Sequence, residues 1–141
     1  MVARTTGEPE REAELARAAA FRGELRRFLQ RTDAVARKAG LTSQRYDLLL
    51  ALASSGELRV TELCGMLHLR QTAVTELVKR TEEAGLIRRR QSPDDGRVWL
   101  LTLTAEGRHR VMRAFEALRD DRHALAQAFR DLDRSFRAAT R

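Results

Sequence analysis

Apolar residues recur at steps of three and four along most of the chain, which predicts a mainly helical protein. The first such segment covers residues 10–39, where apolar positions from Leu15 to Val35 alternate with arginines and glutamates. Gly40 is expected to end this helix, because glycine readily adopts the left-handed conformation of a C-terminal cap. Residues 1–9 lack the pattern and are interpreted as a frayed, flexible terminus.

The middle of the chain is predicted to hold three short helices, at residues 44–53, 62–67 and 71–84, with a short extended piece at 58–60. Thr42 or Ser43 is expected to cap the first helix and Thr61 the second, since hydroxyl oxygens accept the free N–H groups at a helix start. Gly85 is expected to be the left-handed cap of the third helix. Two short helices joined by the turn at residues 68–70 indicate a helix–turn–helix.

Residues 86–107, LIRRRQSPDDGRVWLLTLTAEG, change from a helical to an extended pattern. Residues 92–96 favour a tight turn, in which proline presets φ, aspartate caps its own backbone and Gly96 allows a positive φ. Residues 98–104 are β-branched, aromatic and apolar, as is typical of a strand. The segment therefore predicts a β-hairpin with Arg97 at its tip and with Arg88, Arg89 and Arg90 on its first arm.

The last segment, residues 105–141, is predicted to be helical and to begin at a cap formed by Thr104. Its apolar residues alternate steps of four and three, as in a heptad seam: Val111, Phe115, Leu118, Leu125, Phe129, Leu132 and Phe136. The pattern leaves open whether this segment forms one helix or two. Neither this stripe nor that of the first helix is expected to belong to the core between them, so each would bury against a second copy of the chain.

Composition narrows the class of protein further. A chain of 141 residues fits one domain, and its net charge of +7 suits a nucleic-acid partner or an anionic surface, although charge alone decides little. No apolar run reaches the length of a membrane span, and the N-terminus lacks the apolar core of a signal peptide. With a single cysteine, Cys64, an internal disulfide framework is excluded. We therefore expect a cytoplasmic protein without a membrane partner.

Motifs for catalysis are missing from the sequence. It has no glycine-rich phosphate loop, no nucleophile elbow and no paired metal motif, so we expect neither an enzyme nor a cofactor or metal. Cys64 and His68 are four residues apart on one predicted helix and share a face, as half a metal site or an activated thiol would. His109 and His123 belong to a distant helix, and a buried core cysteine is commoner than either special use.

Residues 42–107 resemble the DNA-binding domain of the MarR-type transcriptional regulators. The likeness rests on LTSQRYDLLLAL, on TELCGMLHLRQTAVTELVKRTEEAGLI and on the wing SPDDGRVWLLTLTAEG, where Asp95 and Arg97 match the family's Asp-x-Arg pair. The long flanking helices also fit. Gly96 departs from the pattern, because many relatives have a second arginine there, so wing contact is expected to depend on Arg97. The final dimerisation helix is expected to be short, since the chain stops soon after a helix restart at Asp133.

The resemblance implies a winged helix-turn-helix flanked by N- and C-terminal dimerisation helices. We expect a MarR-type domain over residues 10–141, divided into a dimerisation helix at 10–39, a winged helix at 42–104 and C-terminal dimerisation helices at 105–141. Its function would be that of a homodimeric repressor that binds a pseudo-palindromic operator in double-stranded DNA. A small apolar or aromatic effector would release it.

The helix at 71–84 is expected to lie in the major groove, which alone shows a distinct pattern for each base pair and admits a helix. Its N-terminal side chains would reach the bases, and the candidates are Arg70, Gln71, Thr72 and Thr75. Lys79 and Arg80 are expected to contact phosphates. Glu76 would repel phosphate, so pairing with Lys79 or Arg80 is its expected role, although a cytosine amino group is an alternative partner.

In the wing, Arg97 is expected to enter the minor groove, whose narrow A·T-rich stretches attract arginine. Asp95 would orient Arg97 or brace the turn that it forms with Gly96. Arg89 or Arg90 is expected to contact phosphate, and at least one of the three arginines on the first arm to have no specific role. Trp99 is expected to be half-buried.

Other interpretations stay open at this point. Family members often have a small-molecule pocket between the dimer helices and the DNA-binding head, and four aromatic residues could line it here, although their spacing alone predicts core: Phe21, Phe28, Tyr46 and Phe115. One alternative function is a winged-helix protein–protein adaptor, which Glu76, Glu82 and Glu83 would suit. Another is a redox-sensing regulator that uses Cys64.

Overall fold

The computed structural model describes residues 7–139. Its elements are α1 (Glu8–Lys38), α2 (Ser43–Ser55), β1 (Glu57–Arg59), α3 (Val60–Leu67), α4 (Gln71–Glu83), β2 (Ile87–Gln91), β3 (Trp99–Leu103), α5 (Ala105–Ala117) and α6 (Arg119–Ala139). The mainly helical fold with a small β-hairpin is confirmed. Of the terminus expected to be frayed, residues 1–6 lie outside the described residues, and the helix starts earlier than predicted because Glu8 and Glu10 favour its positive end.

The chain divides into two compact units. One is a winged-helix unit, Thr32–Ala117, and the other is a helical unit formed by α1 up to Arg31 together with the segment from Leu118 onward. Helix α1 crosses the boundary without interruption. The segment 105–141, which the sequence left undecided, forms two helices separated by Leu118 over the part that the structure describes. The expected helix restart at Asp133 and the expected short final helix are wrong, because α6 continues through Asp133 and is 21 residues long.

The winged-helix unit is built on a three-stranded antiparallel sheet with the order β1-β3-β2. Leu58 pairs with Leu101, and both are buried together with Ile87 on the face of the sheet that covers the core. The other core residues come from the helices, and the fully buried ones include Leu48, Leu49, Leu52, Leu63, Val74 and Val111. The sheet thus closes the unit and leaves the hairpin β2–β3 as its wing.

The apolar stripes of the first and last helical segments do not both lie outside this core, contrary to the expectation. Val35 of α1 and Val111 of α5 are buried in the winged-helix unit. The segment that begins at residue 105 starts with a helix that packs against α2, so the first part of its heptad seam is covered within the chain. Only the later part of the seam, on α6, leaves large apolar side chains such as Phe129 exposed.

Helix caps follow the sequence with one exception. Thr42 caps α2, since its Oγ1 accepts the Arg45 N–H at 3.2 Å, and Gly85 adopts the expected positive φ of 76°. Thr61 was predicted to cap α3. The structure contradicts this, because the helix begins one residue earlier, at Val60. The Arg59 N–H instead donates to the Glu62 carboxylate at 3.0 Å.

Thr104 joins the end of α4 to the start of α5. Its hydroxyl donates to the Gly85 carbonyl at 2.7 Å and accepts the Gly107 N–H at 3.1 Å, which confirms it as a cap. The Thr104 N–H donates in turn to the Leu86 carbonyl at 3.1 Å. A Cβ atom at Gly107 would overlap that same carbonyl oxygen. The Thr-x-x-Gly sequence therefore holds both ends of the hairpin together.

The helical unit has an apolar contact and an ion pair between α1 and α6. The rings of Phe21 and Phe129 meet edge to face, with their centroids 5.8 Å apart, and Arg31 pairs with Asp121 at 3.5 Å. Several large apolar side chains of this unit remain exposed nonetheless, among them Leu15 at 65% and Phe129 at 60%. Across residues 7–139, no helix is long and apolar enough to cross a membrane.

Candidate nucleic-acid interface

Helix α4 presents one apolar and one polar face. Val74, Leu77 and Val78 are buried, and the buried hydroxyl of Thr81 is satisfied by the Leu77 carbonyl at 2.6 Å. Every position predicted to face DNA on this helix, and at its N-cap, is exposed: Arg70, Gln71, Thr72, Thr75, Lys79 and Arg80. The amphipathic pattern thus places these six side chains together on the side of α4 away from the core.

Glu76 pairs with Arg80 at a distance of 3.3 Å, which is one of the two pairings that the sequence predicted. Both side chains are more than half exposed. An exposed pair one helical turn apart is weak and screened by salt, so a phosphate can replace the carboxylate as partner of Arg80. Among the described residues, Lys79 forms no ion pair and is the freer cation of this helix.

The wing turn is held by hydrogen bonds of Asp95 and Ser92. The Asp95 carboxylate accepts the Arg97 N–H at 3.0 Å, and the Asp95 carbonyl accepts the Val98 N–H at 3.0 Å. Ser92 donates its N–H to the Val98 carbonyl at 2.8 Å. Asp95 therefore braces the turn, which was one of its two expected roles. The expected positive φ at Gly96 is wrong, because these hydrogen bonds close the turn without it.

Arg97 is exposed at the tip of this braced turn. Its backbone is fixed through Asp95, whereas its guanidinium makes no ion pair with any residue that the structure describes. Arg88 on β2 is exposed and unpaired in the same sense. The wing therefore presents two cations that are available for an external anion.

Arg89 and Arg90, which were expected to supply a phosphate contact, are engaged by carboxylates of the protein. Arg89 Nε donates to both oxygens of Glu82 at 2.9 and 3.1 Å, and Arg90 binds Glu57 through two nitrogens at 2.7 and 3.0 Å. Neither partner was predicted from the sequence. Glu57 lies 33 residues before Arg90, and the two meet only because their strands belong to the same sheet. Trp99 is 44% exposed, in line with the half-buried position expected, and its ring lies 5.6 Å from the Arg89 guanidinium carbon.

The four aromatic residues suggested for a pocket are distributed over both units. Phe21 and Phe28 belong to the helical unit, where each lines a different cavity, of about 230 and 430 Å³ respectively. Tyr46 is buried in the core of the winged-helix unit, and Phe115 is half-buried on α5. Within the helical unit, Phe21 and Phe28 therefore line separate cavities.

Cys64 and His68 do not form a facing pair on a continuous helix. Cys64 is half-buried on α3, whereas His68 follows the end of that helix in a left-handed conformation, with φ of 53°, and is exposed. Within residues 7–139, no three His, Cys, Asp or Glu side chains are grouped as metal ligands would be.

A model of the MarR family matches residues 39–98, from the end of α1 to the wing turn. This part of the chain is similar to the MarR family. Over 72 residues it is 33% identical to the uncharacterized HTH-type transcriptional regulator YdgJ of Bacillus subtilis, which covers 51% of this chain and 44% of that protein. Over 94 residues it is 29% identical to the HTH-type transcriptional repressor IacR of Pseudomonas putida, with 67% and 56% covered. The chain thus spans about half the length of these curated relatives.

The MarR fold extends beyond the matched residues. A crystal structure of mutant MarR from E. coli in complex with operator DNA covers 86% of this chain and 91% of its own, with a TM-score of 0.71 and 16% sequence identity. At that identity the likeness concerns the fold. It includes the winged helix together with most of the flanking helices, as the patterns at both ends of the sequence predicted.

Proposed function

We propose that this chain is a regulator of the MarR type, a sequence-specific, double-stranded DNA-binding transcriptional repressor that acts as a homodimer on a pseudo-palindromic operator. The observation that carries the proposal is the exposed polar face of α4 beside a braced wing whose Arg97 guanidinium forms no ion pair with any residue that the structure describes. The relatives support it, since MarR of E. coli is complexed with operator DNA and IacR is named a repressor.

In this proposal α4 lies in the major groove. Gln71 and Arg70 near its N-terminus would donate to adenine and guanine edges, and the methyl groups of Thr72 and Thr75 would contact thymine. Lys79 lies two turns further along and would contact a phosphate. Two-fold symmetry would then place the two copies of α4 about 34–36 Å apart, one turn of the DNA helix.

The wing would enter the adjacent minor groove with Arg97. Asp95 fixes the backbone of Arg97 without engaging its guanidinium, so the side chain is presented on a rigid turn at little cost in ordering. Narrow A·T-rich minor grooves concentrate negative potential and attract such an arginine. Arg88 on the first arm is available for a neighbouring phosphate.

The homodimer is part of the proposal because of the helical unit. Three large apolar side chains are more than half exposed there: Leu15, Leu29 and Phe129. Exposed apolar groups of this size are typical of a surface that binds another protein. A second copy of the same helices would cover them, and it would supply the two-fold symmetry that a palindromic operator requires.

Release by a small aromatic effector is the last part of the proposal. The cavity of about 430 Å³ beside Phe28 is lined by apolar groups of Leu125, Ala126 and Phe129 and by the guanidinium-bearing Arg122 and Arg130. A lining that is almost wholly apolar suits a small apolar or aromatic molecule. Benzoate, used as a probe, should release operator DNA from the parent and not from a Phe28→Ala variant.

The decisive experiment begins by selecting bound sites from random DNA with the purified protein. Mobility shifts of the selected site then compare the parent with Arg97→Ala, Gln71→Ala and Lys79→Ala over a series of salt concentrations. Arg97→Ala and Gln71→Ala should each lose about 1–3 kcal/mol of binding free energy. Lys79→Ala should reduce the slope of log K against log salt by about one.

Arg113→Ala on α5 is the matched control, because it removes one positive charge outside the surface formed by α4 and the wing. It should bind the selected site nearly as the parent does. If the three interface variants also bind like the parent, the surface is wrongly assigned. If no salt-dependent binding to any duplex is found, the adaptor function replaces the proposal.

A further inference from the structure

Three side chains connect the wing to helix α4. Glu82, near the end of α4, accepts the Nε–H of Arg89 of β2, which is shared between both carboxylate oxygens, and the Arg89 guanidinium in turn lies over the ring of Trp99 on β3. The Glu82–Arg89 contact spans only seven residues of sequence, but it joins two different elements of the fold. The chain Glu82–Arg89–Trp99 is called the wing strut below.

The sheet register explains why these residues meet. Arg89 pairs with Leu101 and Trp99 pairs with Gln91, so Arg89 and Trp99 are diagonal neighbours on one face of the sheet. Diagonal pairs lie within reach of long and aromatic side chains. Because Leu101 is buried, this is the face of the sheet that covers the core. Arg89 and Trp99 lie at the exposed edge of that face, beyond the buried residues.

We propose that the wing strut positions the wing relative to α4 for DNA binding, and that Arg89 is a positioning residue rather than a phosphate contact. This inference rests on the proposed function. The charge-assisted contact of the Arg89 Nε–H with the Glu82 carboxylate holds the guanidinium at the end of α4, and the guanidinium lies over one face of the Trp99 ring. Trp99 is two residues from Arg97, so fixing the ring fixes the strand that leaves the wing turn.

The wing strut predicts that Glu82→Gln weakens DNA binding relative to Glu83→Gln, although both substitutions remove one negative charge. Glu82→Gln and Glu83→Gln each remove one negative charge from the end of α4. General electrostatics predicts that both variants bind any duplex more tightly, to the same extent. The wing strut predicts a difference, because Glu82 holds Arg89 whereas Glu83 is exposed and pairs with no cation among the described residues.

The first test uses the free protein. Trp99 is the single tryptophan of the sequence, so tryptophan fluorescence reports on the wing alone. Glu82→Gln and Arg89→Lys should shift the emission of Trp99 and increase its quenching by acrylamide, while circular dichroism confirms that both variants are folded. Glu83→Gln should give the spectrum of the parent. Unchanged emission and quenching in folded Glu82→Gln would overturn the strut.

The second test measures binding to the selected DNA site. Glu82→Gln should bind about tenfold more weakly than Glu83→Gln, within the range of coupling between contacting residues. Adding Arg97→Ala to Glu82→Gln should cost less than adding it to the parent, since a displaced wing already loses part of the Arg97 contact. Arg89→Lys should weaken binding as well, whereas a simple phosphate contact would tolerate the retained charge.

The two hypotheses fail in different ways. If Glu82→Gln binds as tightly as Glu83→Gln, or if the loss caused by Arg97→Ala is the same in both backgrounds, Arg89 has no positioning role although the parent still binds DNA. If the parent itself binds no selected or random duplex, the proposed function is overturned and the positioning role with it. The fluorescence result then still decides whether the wing strut exists in the free protein.

Discussion

Gly107 occupies a position where no side chain fits. An added Cβ atom would overlap the carbonyl oxygen of Leu86, which is backbone and already accepts the Thr104 N–H. We predict that Gly107→Ala lowers the free energy of unfolding by about 3 kcal/mol, at the upper end of the usual cost of overpacking. Thermal unfolding followed by circular dichroism measures the change.

Gly65→Ala is the control for this prediction. Gly65 lies inside α3 with open space around its Cβ position, so the substitution should raise stability by about 0.5–1 kcal/mol through helix propensity. If both variants have the stability of the parent, the close approach between α5 and Leu86 does not restrict this position.

Asp47 is a carboxyl group that is more easily ionised in the unfolded chain than in the folded one. Burial raises its pKa above the ordinary value of 3.8, and repulsion from Asp33 raises it further. The folded state therefore holds the proton up to a higher pH. Stability consequently falls as the pH rises from about 3.8 through the raised pKa, and it stays lowered above that window.

Because ionisation of Asp47 destabilises the folded state, we predict that Asp47→Asn stabilises the protein at pH 7. It should not do so at pH 3, where the Asp47 carboxyl is mostly protonated in the folded and the unfolded chain. The gain should stay under about 1 kcal/mol, because much of the side chain remains in contact with water. Urea unfolding of parent and variant at the two pH values measures it. An equal gain at both would mean that the charge of Asp47 is not the cause.

The positions of the helices and strands were predictable from the sequence, but the side-chain contacts that they form were not. Spacing and turn residues placed α2, α4 and the hairpin within about two residues of their observed bounds, because those signals are local. The cap of α3 was missed, since Glu62 accepts from Arg59 and displaces Thr61 from that role.

The ion pairs of the wing depend on information that a linear pattern does not hold. Arg89 and Arg90 follow each other in sequence, but neighbouring strand residues point to opposite faces. One therefore binds Glu82 of α4 and the other Glu57 of β1. Of the arginines of the wing, Arg88 and Arg97 form no ion pair with any residue that the structure describes.

At the scale of the molecule, the exposed apolar residues of the helical unit predict association. Leu29 on α1 is 55% exposed, and the neighbouring Gln30 is exposed and polar. Leu29→Glu should weaken the proposed homodimer by about tenfold or more, as expected for an apolar anchor at an interface. Gln30→Glu adds the same charge one position away and should associate like the parent.

Sedimentation at several protein concentrations distinguishes these variants. Equal dissociation constants for Leu29→Glu and Gln30→Glu would exclude this face of α1 from the interface. The sequence predicted that the outer helices carry apolar stripes, but not where the two units meet along them. That boundary lies inside the continuous helix α1, where no glycine, proline or change of composition indicates it.

The hydrogen bonds of Thr104 also bear on how this fold can change. Its N–H and hydroxyl bind the carbonyls of Leu86 and Gly85, so the chain is closed on itself at the base of the wing before the hairpin begins. The segment 87–103 is therefore a loop whose ends are already fixed, and closing a longer loop costs little more. New wing tips can consequently arise by insertion or exchange while the packing of α2 against α5 stays intact, so the DNA preference of the wing can evolve separately from the stability of the domain.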